Sequence, residues 1–329
     1  VTNKVLGLVM ATALAVLGGC AAGESPAPPA PAGSATRTPT STTSATSTSP
    51  TASATATSAS AATSASVPPG TVTKLLVFVV ENHSLDQMRA DMPYTASLGK
   101  RFGLATSYRA VTHPSLPNYL AMTGGSTFGV TDDDPPSSHP IDQPSVFGQA
   151  LSLGRTARLY AEGMPTNCAT EDSGRYAVRH NPWTYHVAER SSCARFDVPL
   201  GRLGTDASDG SLPDAGMVIP DVCNDAHDCD LSTADSWLRT QTQAVMAGPD
   251  WRSGHLAIVV TADEDDHGQG NLVLTTVAHP SLHGAVVTTP LTHYSLARLY
   301  SEVLGAQPLG EAASAPSMAT AFGLHLAAG

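Results

Sequence analysis

Acidic side chains follow three apolar, β-branched runs in this chain: LLVFVV leads into Glu81-Asn82, MVIP into Asp221, and LAIVVTA into Asp263-Glu264-Asp265-Asp266. If each run is a buried parallel strand, its acids lie at the carboxyl edge of a sheet, where open α/β sheets bind ligands. Carboxylates gathered there repel one another unless protons or a cation intervene, so the pattern calls for a divalent metal ion of unspecified identity. A hydroxyl nucleophile is at hand in Thr112-His113-Pro114-Ser115-Leu116-Pro117-Asn118. Pro117 fits only a first helical turn, which predicts a helix starting close to Ser115. Unpaired N–H groups and the positive end of the helix dipole would then face a phosphoryl group bound at Ser115. A neighbouring cation would favour attack by its oxygen. The same local sequence also suits Ser115 as a plain helix N-cap.

Histidines gather at strand exits and loops of the second half: His180, His227, His267, His279, His283 and His293. His227 lies in the polar loop Pro220 to Cys229, and His293 follows Thr292, a plausible N-cap at the start of the last long helix. Either can bind metal, grip phosphate or protonate a leaving oxygen, and the sequence does not choose between them. Arg179-His180-Asn181-Pro182-Trp183 sets a permanent cation beside an imidazole, suited to bidentate contact with phosphate oxygens. Cys168, Cys193, Cys223 and Cys229 form an even set, for which we favour the local pairs Cys168–Cys193 and Cys223–Cys229. A thiolate zinc site would lack CxxC spacing.

The elements that must carry these residues alternate. Strands are expected at Leu75 to Val80, Thr156 to Tyr160, Met217 to Ile219, Leu256 to Thr261, Leu272 to Val277 and Ala285 to Val287, with another around Leu104 to Ala110. Helices are expected at Ser145 to Leu153, Thr233 to Ala247 and Thr292 to Leu304, each ended by glycine. This is an α/β pattern with a doubly wound, mostly parallel sheet. The Gly-, Asp- and Ser-rich stretch 161–215 reads as a loop-rich cap insertion over the site.

Ahead of this domain, Lys4, the apolar run Val5 to Leu17 and Leu17-Gly18-Gly19-Cys20 form a lipobox pattern. Residues 1–19 are therefore expected to be a lipoprotein signal peptide, and Cys20 the lipidated first residue of an exported chain. That chain would be anchored on the outer face of the cell membrane or secreted. Residues 20–70, rich in Ala, Ser, Thr and Pro, read as a disordered tether, and residues 71–329 as one catalytic domain. A formal net charge of -11 argues against a general nucleic-acid binder.

Taken in order, these segments resemble the bacterial phosphoesterase family that groups non-specific phospholipases C with acid phosphatases, within the alkaline phosphatase-like superfamily. The resemblance is carried by Glu81-Asn82-His83-Ser84-Leu85-Asp86, Ser115-Leu116-Pro117-Asn118, Arg179 to Trp183, Asp221 to Asp228, Asp263-Glu264 and Thr292-His293-Tyr294-Ser295. It implies an alkaline phosphatase-like fold, a metal held by Glu81, Asn82, Asp263 and Glu264, and Ser115 phosphorylated during turnover. It implies His227 and His293 as catalytic candidates, with Asn118, Arg179 and His180 on the substrate. The nearest subgroup is the mycobacterial-type secreted acid phosphatases acting on phosphatidylinositol 3-phosphate. Two departures matter: Leu85 replaces an aromatic, and Asp263-Glu264-Asp265-Asp266 lacks the D-E-H-G-G continuation of the phospholipases C. The second favours phosphomonoesters, leaving phosphodiester cleavage and a non-catalytic, lipid-anchored binding protein as alternatives.

Overall fold

The computed structural model describes residues 70–327 together with Pro68, so the signal peptide, Cys20 and nearly all of the tether lie outside the described residues. In chain order the strands are β1 (Lys74–Val80), β2 (Gly103–Ala105), β3 (Tyr108–Arg109), β4 (Ala157–Ala161), β5 (Asp197–Pro199), β6 (Ala215–Ile219), β7 (Leu256–Ala262), β8 (Thr275–Ala278), β9 (Ala285–Val287) and β10 (Leu291–Thr292). The helices are α1 (Leu85–Asp91), α2 (Pro93–Arg101), α3 (Ser115–Gly124), α4 (Val146–Ser152), α5 (Arg190–Phe196), α6 (Arg202–Asp209), α7 (Leu231–Met246), α8 (Pro249–Arg252), α9 (His293–Leu304) and α10 (Met318–Phe322).

Eight strands form one sheet in the order β5-β4-β6-β1-β7-β8-β2-β9. At its centre β1 lies parallel to β6 on one side and β7 on the other, with Val77 opposite both Met217 and Val259. These three strands are buried almost throughout, which is why they read as unbroken apolar runs. The chain passes from β6 on one flank of β1 to β7 on the other, so the loops leaving them diverge around the end of β1. A crevice at that switch point is where doubly wound sheets place their ligands.

Two expected strands differ. The stretch around Leu104 to Ala110 breaks into β2 and β3, and β3 pairs with β10 in a separate two-stranded sheet. The strand expected from Leu272 begins at Thr275 and runs antiparallel to β7. The reversal comes from the intervening loop, where Asp265 accepts hydrogen bonds from the His267 and Gln269 amides and turns the chain back. With no helix between β7 and β8 to carry the chain across the sheet, the returning strand pairs antiparallel. Gly154 and Gly305 lie in left-handed conformation after α4 and α9 as expected, whereas Gly248 has negative φ and is the N-cap of α8.

Helix α3 is buried on every face. It ends at Gly125, whose φ of 67° suits glycine and where an added Cβ would lie 2.2 Å from the Leu309 carbonyl oxygen. Of the stretch 161–215, residues from 197 return to the body as β5, α6 and the start of β6, so the loop-rich insertion is its first part, built mainly of short 3₁₀ turns.

The insertion is tied down at Asp197, whose Oδ2 accepts from Asn181 Nδ2 at 2.8 Å. Asp197 is fully buried, its Oδ1 has no partner, and burial pushes its carboxyl up to about 8. An unfolded aspartate titrates near ~3.9. Between these values the folded chain keeps a proton that the unfolded chain releases, so stability should fall as pH rises from about 4 to 8. Asp197→Asn should flatten that part of the profile, measurable by urea unfolding across the range. An unchanged slope would show that Asp197 is ionised in the folded protein.

Candidate functional site

Glu81 and Asp263 follow immediately on the last residues of β1 and β7, and the Asp263 amide donates to the Val80 carbonyl at 3.0 Å. The Asn82 amide donates to Asp263 Oδ1 at 3.1 Å, drawing the two strand ends together. Helix α3 delivers Ser115 to the same point. Its N-cap is Pro114, so Ser115 is the first helical residue, and its hydroxyl donates to Glu81 Oε2 at 3.0 Å instead of capping the helix. The N-cap reading of Ser115 is therefore set aside.

The Asn82 amide atom that points into the cluster lies 3.1 Å from Glu81 Oε2 and 3.3 Å from both Asp263 Oδ1 and Glu264 Oε1. As nitrogen it donates to all three; as oxygen it completes a ring of four acceptors. Three carboxylates and one amide oxygen are the donor set of a hard, oxygen-preferring divalent ion, so these residues fit the implied metal. Burial, and then the neighbouring charges of Asp263 and Asp225, hold the Glu81 carboxyl well above the usual range. Glu264 is pushed up to about 9 by burial and by Asp263. Such carboxyls resist sharing negative charge without a counter-ion.

The third acidic strand end behaves otherwise. Asp221 accepts from the Cys223 and Asn224 amides and closes its own turn. Asp225, one turn further on, is the acid that reaches the site: its carbonyl accepts from the Glu81 amide at 2.8 Å, and its Oδ2 lies 3.2 Å from His180 Nδ1. On the other side of its ring, His180 Nε2 lies 3.5 Å from Glu81 Oε2. His180 is thus buried between two acids, and burial lowers its pKa well below the ordinary value. Partly exposed His227 pairs through Nδ1 with Asp228 at 2.7 Å, and Arg179 Nη2 lies 3.2 Å from its Nε2. The insertion and the β6 loop thereby bring Arg179, His180 and His227 together.

Both expected disulfides are present, Cys168–Cys193 and Cys223–Cys229, which leaves no thiolates there for zinc. The second closes the loop that carries Asp225 and His227. Replacing Cys223 and Cys229 by serine should cost about 2 kcal/mol of stability on loop-closure entropy. It should also lower kcat/KM, because Asp225 and His227 lose their tether. Thermal unfolding and steady-state kinetics on the double variant check both effects.

Two expected site residues are committed elsewhere. His293 is fully buried, with Nδ1 3.1 Å from the Tyr108 hydroxyl and Nε2 2.5 Å from the Asp263 carbonyl oxygen. Burial pushes it down to about 4. Fully enclosed and bonded through Nε2 to the Asp263 backbone, His293 is placed as a support for Asp263, whereas His227 is partly exposed. Asn118 accepts from the Val111 and Thr112 amides and donates to the Thr112 and Pro114 carbonyls and to Glu264 Oε2. Its polar atoms are spent inside the protein, so it shapes the loop before Ser115 and is not free for substrate.

Three further residues escape sequence reasoning. Asp133 Oδ1 accepts from the Leu116 amide at 2.9 Å, occupying one of the helix N–H groups expected to face phosphate. His113 Nδ1 lies 2.9 Å from Glu264 Oε2, and its ring stacks on His267 with centroids 3.9 Å apart. Tyr119 donates its hydroxyl to Glu81 Oε1. The one available signal was position: Asp133 lies in an acidic run, His113 two residues before Ser115, and Tyr119 four residues after it, on the same helical face.

Residues 86–298 match the model described as the Phosphoesterase family. The chain is 29% identical over 264 residues to a phosphatidylinositol-3-phosphatase of Mycobacterium tuberculosis, covering 79% of this chain and 86% of that protein. It is 27% identical over 231 residues to a phosphate-repressible acid phosphatase of Penicillium chrysogenum, covering 65% of this chain and only 55% of that protein. In fold alone it is similar to an alkaline phosphatase superfamily protein from Vibrio parahaemolyticus, with a TM-score of 0.52 at 11% identity over 72% of this chain and 67% of that one. The lipoteichoic acid synthase LtaP from Listeria monocytogenes gives 0.51 at 10% identity, over 75% and 76% of the two chains.

Proposed function

Because the chain belongs to the phosphoesterase family and is a phosphoric ester hydrolase, we propose that it is a phosphomonoesterase of the acid phosphatase type, working through a phosphoserine at Ser115. The observation that carries this reading is the buried Ser115 hydroxyl aimed at Glu81 within the carboxylate cluster. In the first step Ser115 Oγ, held by its hydrogen bond to Glu81 Oε2, attacks phosphorus in line and its proton is lost to water. The bond from phosphorus to the leaving oxygen breaks, and that oxygen takes a proton from His227 once Arg179 has left His227 Nε2 for the phosphoryl group. Water then cleaves the phosphoserine and restores the hydroxyl. Arg179, beside His227, grips the phosphoryl oxygens, and His180 lies between Glu81 and Asp225. Glu81, Asn82, Asp263 and Glu264 would hold a divalent cation, which supplies charge neutralisation at the attacking and phosphoryl oxygens when bound.

The mycobacterial relative supports phosphatidylinositol 3-phosphate as a substrate. The lipobox and the disulfides support an exported enzyme anchored through Cys20. Assays on p-nitrophenyl phosphate, phosphatidylinositol 3-phosphate and phosphatidylcholine test the reading, which expects turnover of the first two. Turnover of phosphatidylcholine alone would make the protein a phospholipase C. Silence on all three would favour a binding protein. A Cys20→Ser chain that still fractionates with membranes would remove the anchor.

A further inference from the structure

We infer that Tyr119 is a positioning residue for the cation site, holding one oxygen of Glu81 so that the other faces Ser115 and the cation; this rests on the metal-assisted reading above. Tyr119 is fully buried in α3, four residues after Ser115, so both side chains leave the helix on one face. The two hydroxyls divide Glu81 between them: Tyr119 donates to Oε1 and Ser115 to Oε2 at 3.0 Å. The tyrosine ring stacks on His180, with centroids 5.3 Å apart and planes 15° from parallel. One side chain therefore fixes the carboxylate on one side of the nucleophile and the imidazole behind it.

The chemistry of the pair explains why a phenol stands here. Glu81 is buried, and a carboxylate with a free oxygen can rotate and can bind a cation through either or both oxygens. A neutral donor on Oε1 holds the plane of the group without adding charge. Phenylalanine would keep the ring against His180 and lose only this restraint. Hydrogen bonds that orient a metal-ligating group typically change metal affinity about 10–100-fold when removed.

The test is a calorimetric titration of the chelator-stripped full chain with Mn2+, repeated on Tyr119→Phe, Glu81→Gln and the double variant. Tyr119→Phe should bind Mn2+ about 10-fold or more weakly, with unchanged circular dichroism. In the Glu81→Gln background the same change should have no further effect, because the tyrosine acts through that carboxylate. Equal loss in both backgrounds, or binding within about twofold of the unmodified chain, overturns the assignment. If Tyr119→Phe does not fold, the unmodified chain decides: Mn2+ should perturb a tyrosine band in near-ultraviolet difference absorbance, and Glu81→Gln should abolish that signal. No tyrosine signal at saturating Mn2+ overturns the assignment. Failure of the unmodified chain to bind Mn2+ would instead fell the cation reading, and this inference with it.

Discussion

Ser115→Ala should lower turnover of p-nitrophenyl phosphate by about 10⁴-fold or more while leaving the fold intact, the scale expected when a covalent nucleophile is removed from a site that acts as a unit. The change takes one oxygen from the first turn of α3, where its hydroxyl donates to Glu81 Oε2 at 3.0 Å. Nothing in the sheet depends on it. Stability should therefore move far less than activity. Circular dichroism and unfolding midpoints will separate the two. Rapid acid quenching of the unmodified protein with substrate should leave one phosphoryl group on the peptide containing Ser115, seen by intact and peptide mass. A variant that keeps wild-type turnover with normal folding would show that another group attacks phosphorus.

Exhaustive chelation should cost about 10³-fold in activity, since a cation at such a site contributes several kcal/mol to charge stabilisation in the transition state. It should also lower the melting temperature. A ligand at a hundred times its dissociation constant adds about 2.7 kcal/mol to folding, equivalent to about 5–10 °C for a domain of this size. The sign follows from the cluster: stripping the site leaves Glu81, Asp263 and Glu264 facing one another, all raised by burial. Thermal scans and rates before chelation, after it, and after return of Mn2+ check both effects. If a metal-free sample, verified by elemental analysis, melts and turns over unchanged, the cation has no part in the chemistry. Ser115 would keep its role.

What the chain discloses in its sequence follows from where each residue is buried. Strands β1, β6 and β7 are covered on both faces, so they write themselves as unbroken apolar runs, and the acids after them stand out. That contrast made Glu81, Asp263 and Glu264 legible. It misled at β6, where the first acid, Asp221, is used by its own turn and Asp225 does the reaching. Tyr119 was hidden because a tyrosine in a helix buried all round reads as packing. Asp133 caps an amide 17 residues earlier in the chain, a partnership with no spacing rule. His293 was rightly placed at the start of a helix behind Thr292. That helix begins beneath Asp263, though, and only the tertiary fold reveals which side of the acid the imidazole takes.

The groups of this site belong to two mechanical classes. Glu81, Ser115 and Asp263 sit on or against β1, α3 and β7, elements buried in the middle of the protein. Arg179 and His227 stand on the loop-rich insertion and the disulfide-closed loop after β6, outside that core. A substitution at the proposed nucleophile or its carboxylates would have to be absorbed by the central sheet, whereas one at the groups proposed to grip the phosphoryl oxygens and protonate the leaving oxygen would be felt only at the rim. The divergence between such enzymes should therefore concentrate in their loops.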